Sequence, residues 1–180
     1  MFKKVILLTL IAIINFASSL CNNYPNGTEL ISYWFNCPDS GVVVFNSLAT
    51  VDEDGRHQYP IKLYKPIYIN VNLDNNAKNF TDLTLDITLF RWGGTSKCGW
   101  YKIYTLGLLS RQNGCKNGVP CPINVGKNQN LRIMLDFTKF NFFMRYLPNN
   151  IPYQVMYKLT DESTGITSCT IVQALSLTRS

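Results

Sequence analysis

Four stretches of this chain alternate apolar and polar residues with a period of two, a pattern that admits little except β-structure. Ile67, Ile69, Val71 and Leu73 share one face, with Tyr68, Asn70 and Asn72 on the other. Leu83, Leu85, Ile87 and Leu89 alternate with Thr84, Asp86 and Thr88. Leu131, Ile133, Leu135 and Phe137 alternate with Arg132, Met134 and Asp136, and Tyr153, Val155, Tyr157 and Leu159 with Gln154, Met156 and Lys158. Successive side chains of a strand point to opposite faces, so each segment has one face to bury. Residues 42–45 are a shorter β-branched run, and residues 169–177 are apolar on both faces in places. Turn formers such as Asp74-Asn75-Asn76, Asn117-Gly118 and Ser163-Thr164-Gly165 separate the runs. One-faced strands bury their apolar sides by packing sheet on sheet. The expected fold class is therefore all-β, a two-sheet antiparallel β-sandwich in one domain, residues 20–180. One segment breaks the rhythm. Phe140, Phe143, Met144 and Leu147 fall at i, i+3, i+4 and i+7, which predicts a short helix ending at Pro148.

The chain begins with Lys3 and Lys4, then an apolar run over residues 5–16, then Ala17, Ser18 and Ser19. A charged start, an apolar centre and a small-residue end read as a secretory signal peptide over residues 1–19. The run is shorter than the ~20 apolar residues a bilayer span requires. All six cysteines lie beyond it, and an even number in a secreted chain reads as three disulfides. Two sequons, at Asn26 and Asn79, fit glycosylation on the same route.

Composition excludes more than it assigns. Without Lys3 and Lys4 the chain carries 15 basic against 11 acidic side chains, scattered and with no basic run, so nucleic acid is not an expected partner. His57 is the single histidine, in a polar stretch, and no GxSxG elbow or phosphate-cradling glycine loop is present. Asp161 and Glu162 are adjacent in a turn, so they would not face each other as a catalytic pair. No CxxC occurs, so no metal site is expected. The chain reads as a non-enzyme without a cofactor.

The segment Gly114-Cys115-Lys116-Asn117-Gly118-Val119-Pro120-Cys121-Pro122-Ile123 resembles the Gly-Cys-Lys-x-Gly-x-x-Cys-Pro-Ile segment of Niemann-Pick type C2 sterol carriers. Those carriers belong to the MD-2-related lipid-recognition (ML) family, together with the GM2 activator. Residues 32–37, Ser-Tyr-Trp-Phe-Asn-Cys, resemble the opening strand of the GM2 activator. Pro152-Tyr153-Gln154-Val155, Lys158-Leu159-Thr160-Asp161 and Cys169 resemble the family's closing hairpin. The chain as a whole looks closer to a group of nematode members of the family than to the sterol carriers.

The resemblance implies an immunoglobulin-like sandwich whose sheets part around an internal apolar cavity that holds a lipid. It implies a Cys115–Cys121 bridge across a small loop and a Cys37–Cys169 bridge between first and last strands, which leaves Cys21 and Cys98 as the third pair. It implies a lipid ligand (a sterol, phospholipid or glycolipid chain) in a protein of the secreted or endolysosomal space. The alternative it allows is an accessory module presenting lipid to a receptor or a lysosomal hydrolase. The candidate walls are the apolar strand faces: Ile67, Ile69, Val71, Leu85, Ile87, Leu131, Ile133, Val155 and Tyr157. Val119 would sit at the cavity mouth by the same resemblance. The one-sided spacing of Phe140, Phe143, Met144 and Leu147 marks them as a candidate rim for transient membrane contact, with Lys139 and Arg145 meeting anionic head groups.

Overall fold

The computed structural model describes residues 21, 23–38 and 40–180; the expected signal segment lies outside them. The described strands are β1 (Tyr33–Asn36), β2 (Val43–Val51), β3 (Ile61–Lys62), β4 (Ile67–Asn75), β5 (Leu83–Gly93), β6 (Gly99–Lys102), β7 (Gln112–Asn113), β8 (Gly126–Leu135), β9 (Ile151–Asp161) and β10 (Thr167–Leu177). They form two sheets packed face to face, the immunoglobulin-like sandwich expected. The larger runs β1-β10-β9-β5-β6, with β3 beside β10 and β7 beside β5; the smaller runs β2-β4-β8. Every pairing is antiparallel except β3 on β10.

The alternating residues sit as their period requires. Ile67, Val71 and Leu73 of β4 are buried, as are Leu83, Leu85, Ile87 and Leu89 of β5 and Ile133 and Leu135 of β8. These side chains meet across the gap in one core. Strand β10, paired along its edges with β1 and β9, is also buried on both faces. There Ile171 packs with Cys37, Cys169, Phe35 and Met156. The leader helps: Asn26 donates to Gln173 at 2.7 Å, and Gln173 donates to Gln154 at 2.7 Å. Gln154, a polar position in the β9 alternation, is therefore buried and paired.

Strand limits differ from the periodic segments where side chains carry no signal. The β8 strand starts at Gly126, in a polar stretch held by backbone pairing to β4, and stops before Phe137, which is nevertheless fully buried. The β2 strand continues to Val51 through a bulge between Phe45 and Ser47. Two-residue β3 is too short to show a period. The expected helix is a 3-10 turn, Thr138–Phe140, running into α1 (Asn141–Met144).

The three bridges pair as the resemblance implies: Cys21–Cys98, Cys37–Cys169 and Cys115–Cys121, with Cα separations of 5.5, 5.3 and 5.5 Å. The cysteine motif is a clasp. The Gly114 amide donates to the Leu83 carbonyl at 2.6 Å, and the Met134 amide donates to the Gly118 carbonyl at 2.9 Å. Gly118 has φ +94°, and a Cβ there would lie 1.8 Å from the Met134 oxygen. Only glycine allows the loop this close to β8. Asn75, almost fully buried, ties the far end by donating to the carbonyls of Ile123 and Asn124 at 3.3 and 3.0 Å.

Asp161 closes the β9–β10 hairpin. Its carboxylate accepts from Ser163 Oγ at 2.6 Å, Thr164 N at 3.0 Å and Thr164 Oγ1 at 2.6 Å, and pairs with Lys78 Nζ at 3.2 Å. Burial pushes this carboxyl's pKa up, but the hydrogen bonds and the Lys78 charge outweigh it and hold it at about 2. A pKa depressed on folding stabilises the protein fully above the ordinary carboxylate value and loses that effect as pH falls toward the folded value. Urea unfolding should therefore show stability falling between about pH 4 and pH 2. Asp161→Asn should remove this share of the slope and cost about 1–3 kcal/mol at neutral pH. A variant with unchanged stability at neutral pH would contradict the assignment.

Candidate functional site

Between the sheets lies an apolar cavity. The smaller sheet contributes Phe45, Leu48, Thr50, Ile67, Ile69, Val71, Ile133 and Leu135. The larger contributes Tyr153, Val155, Tyr157, Thr170, Val172, Ala174 and Ser176, and Ile61 and Leu63 close one side. No charged side chain lines it. Of the residues expected from strand faces, Ile67, Ile69, Val71, Ile133, Val155 and Tyr157 meet here. Leu85 and Ile87 line an adjoining cleft with Leu135, Phe137 and Phe140, where Gln112, Lys116, Asn117, Asp136 and Lys139 supply the polar side. Leu131 is half-buried against the core and is not a cavity wall.

Val119 is not at a mouth. It is 2% exposed, inside the core beneath the clasp, and does not line the cavity. The expected rim is also redirected. Met144 and Leu147 are buried, and Phe140 and Phe143 pack against the core. A one-sided apolar stripe is what a docked helical turn needs as much as one on a membrane, and here the sandwich takes it. The side chains facing outward are Phe142, 60% exposed, and Tyr146, 77% exposed, beside Arg145.

Sequence reasoning missed Phe45, Leu48, Ile61, Leu63, Leu135, Tyr153, Val172 and Ala174 as walls. Leu135 and Tyr153 carried the signal, standing in register with Ile133 and Val155. Leu48 and Ile61 carried none, because a bulge precedes one and the other lies in a two-residue strand.

The cavity as it stands is small, about 40 Å³. Sites that enclose small molecules occupy about 300–1,000 Å³. An acyl chain or a sterol would enter only if the sheets separated. No disulfide opposes that motion directly, because none joins the two sheets. Cys37–Cys169 joins the end of β1 to β10 within one sheet, Cys115–Cys121 closes its own loop, and Cys21–Cys98 joins the leader to the segment before β6. No cysteine lies on β2, β4 or β8.

Four of the cavity's polar side chains are satisfied by backbone. Thr50 Oγ1 donates to the Gln58 carbonyl at 3.2 Å, Thr170 Oγ1 to Phe35 at 3.2 Å, Ser176 Oγ to Ala174 at 3.2 Å and Tyr153 OH to Pro148 at 2.6 Å. Tyr157 differs: its hydroxyl is buried without a partner, and burial pushes its pKa well above the ordinary tyrosine value.

Asn26 and Asn79 are both exposed. The Asn26 amide nitrogen donates to Gln173, whereas Asn79 uses only its oxygen, accepting from Val125 N at 2.7 Å. Among the described residues no helix is long and apolar enough to cross a membrane, and no group of three or more His, Cys, Asp or Glu could hold a metal ion.

No family model and no curated protein matches the chain. Among solved structures it is similar to a Niemann-Pick type C2 protein from Japanese carpenter ant, at 13% identity and TM-score 0.45 over 80% of this chain and 98% of that one. It is similar to the C-terminal domain of wzt at 9% identity and TM-score 0.41, covering 86% and 82% of the two chains. It is similar to chicken MD-1 complexed with lipid IVa at 13% identity and TM-score 0.35, covering 79% and 86%. At this level of likeness the fold stands on the strand pairings themselves.

Proposed function

We propose that this chain is a secreted or endolysosomal lipid-binding protein of the ML type, which takes one apolar ligand between its sheets and moves it between membranes without catalysis. The observation that carries this reading is an uncharged seam between two sheets that no disulfide ties together. A sixteen-carbon chain loses about 12 kcal/mol on exposure to water, at ~0.8 kcal/mol per methylene. Wall residues exposed when the sheets part are covered again by the ligand, so a soluble carrier can both load and release. The bridges and the sequons at Asn79 and Asn26 support an oxidising, glycosylating route behind a signal at residues 1–19. Phe142 and Tyr146, rather than the buried face of their helical turn, are the residues for membrane contact, with Arg145 meeting anionic head groups.

Native mass spectrometry of the secreted protein, with extraction of bound lipid, tests the reading together with vesicle-to-vesicle transfer. One lipid per chain and unaided transfer are expected, with slower transfer for Phe142→Asp at unchanged loading. Loading without transfer, or transfer only beside a receptor or hydrolase, would favour lipid presentation. No lipid in repeated preparations and no uptake from liposomes would overturn the carrier.

A further inference from the structure

Among the described residues, Tyr157 is the one side chain lining the seam whose polar atom has no partner. It projects from the middle of β9, opposite Thr170 of β10 and Ile87 of β5, and is 6% exposed. Thr50, Thr170, Ser176 and Tyr153 have each committed their proton to a backbone carbonyl. A buried hydroxyl without a hydrogen bond costs stability, and phenylalanine would fill the same volume without that cost. A buried water would satisfy the hydroxyl only with two to four polar partners around it. Ser168 Oγ is also unpartnered, but it belongs to a smaller cavity of about 10 Å³, beyond Phe45 and Ile133.

We infer that Tyr157 is a ligand-orienting residue: its hydroxyl hydrogen-bonds a neutral oxygen, a hydroxyl or carbonyl, on an apolar ligand that enters the seam oxygen first. This deepens the lipid-carrier reading and rests on it. A phenol both donates and accepts, so it pairs with either oxygen type. An anionic head is a poor fit, because no lysine or arginine lines the cavity and a buried unpaired charge is far costlier than a neutral dipole. The ligand class is thus a long-chain alcohol, a sterol-like alcohol or a ketone, and not a fatty acid or phospholipid inserted head first. The seam then selects by one hydrogen bond amid apolar contact. Any apolar chain gains from burial, but only the oxygenated one also satisfies Tyr157.

Displacement of the neutral fluorescent probe N-phenyl-1-naphthylamine by hexadecan-1-ol, hexadecane and hexadecanoate reads this directly. The wild-type protein should bind the alcohol about 3- to 10-fold more tightly than the alkane, the worth of one neutral hydrogen bond. Tyr157→Phe should erase that ratio while leaving hexadecane affinity unchanged or raised, with thermal stability retained. A structural role alone would shift all three ligands together. Equal binding of alcohol and alkane by the wild type, or a ratio that survives Tyr157→Phe, overturns the assignment and leaves the carrier intact. A preference for hexadecanoate that vanishes in the variant overturns the neutral-oxygen claim. Failure of the probe and all three ligands to bind overturns carrier and inference together.

Discussion

Ala174→Phe is expected to lower lipid uptake at least about tenfold, because it puts a ring where the ligand must lie. Ala174 is 2% exposed, stands opposite Tyr153 in the β9–β10 pairing and turns its methyl group into the seam. Displacing two methylenes of ligand forfeits about 1.6 kcal/mol, and about 1.4 kcal/mol is a factor of ten. The ring also costs the folded protein about 1–3 kcal/mol through overpacking, since a space of about 40 Å³ cannot absorb it without a shift of the sheets. Equilibrium loading from liposomes, read by mass spectrometry beside a thermal melt, separates the two effects. Leu30→Ser, at an exposed leader position, should load normally. Normal loading by a folded Ala174→Phe would mean that lipid binds elsewhere.

Joint replacement of Cys37 and Cys169 by serine should cost more stability than loss of the Cys115–Cys121 bridge. The first links residues 132 apart and the second residues 6 apart. Chain-entropy arguments scale with the closed loop and give about 5 kcal/mol for the long closure against about 2 for the short one. With about 2–4 °C per kcal/mol in a domain this size, the long bridge corresponds to about 10–20 °C in Tm. The structure adds a local term, since Cys37, Cys169 and Ile171 form their own buried cluster outside the main core. A thermal melt of each double variant ranks them. If the short bridge matters more, the clasp it holds on β5 and β8 is the dominant contribution.

Much of the sandwich was legible because strand burial has a period of two. Ile67 to Leu73 and Leu83 to Leu89 turned their apolar faces inward as written, since a one-sided sheet has only one place to put them. Reading failed where backbone pairing or docking decided the outcome. The polar start of β8 is held by hydrogen bonds to β4, which side-chain pattern does not encode. The stripe Phe140, Phe143, Met144 and Leu147 does form one face, but its neighbour is the sandwich. The motif behind the family resemblance proved to be structural: its glycines and bridge fasten a loop, and Val119 beside Cys121 fills core.

From the chain of residues alone follow the all-β class, the one-faced strands and the oxidised cysteines, because these depend on local period and on cysteine number. Which cysteines meet, which wall residues share a cavity, how little space it encloses, and that the bridges leave β2, β4 and β8 untied are tertiary facts. They depend on how two twisted sheets pack, and a period of two says which way a side chain points but not what it meets. The unpartnered Tyr157 hydroxyl belongs to the same class: its neighbours come from other strands, and only their arrangement leaves it without a hydrogen bond.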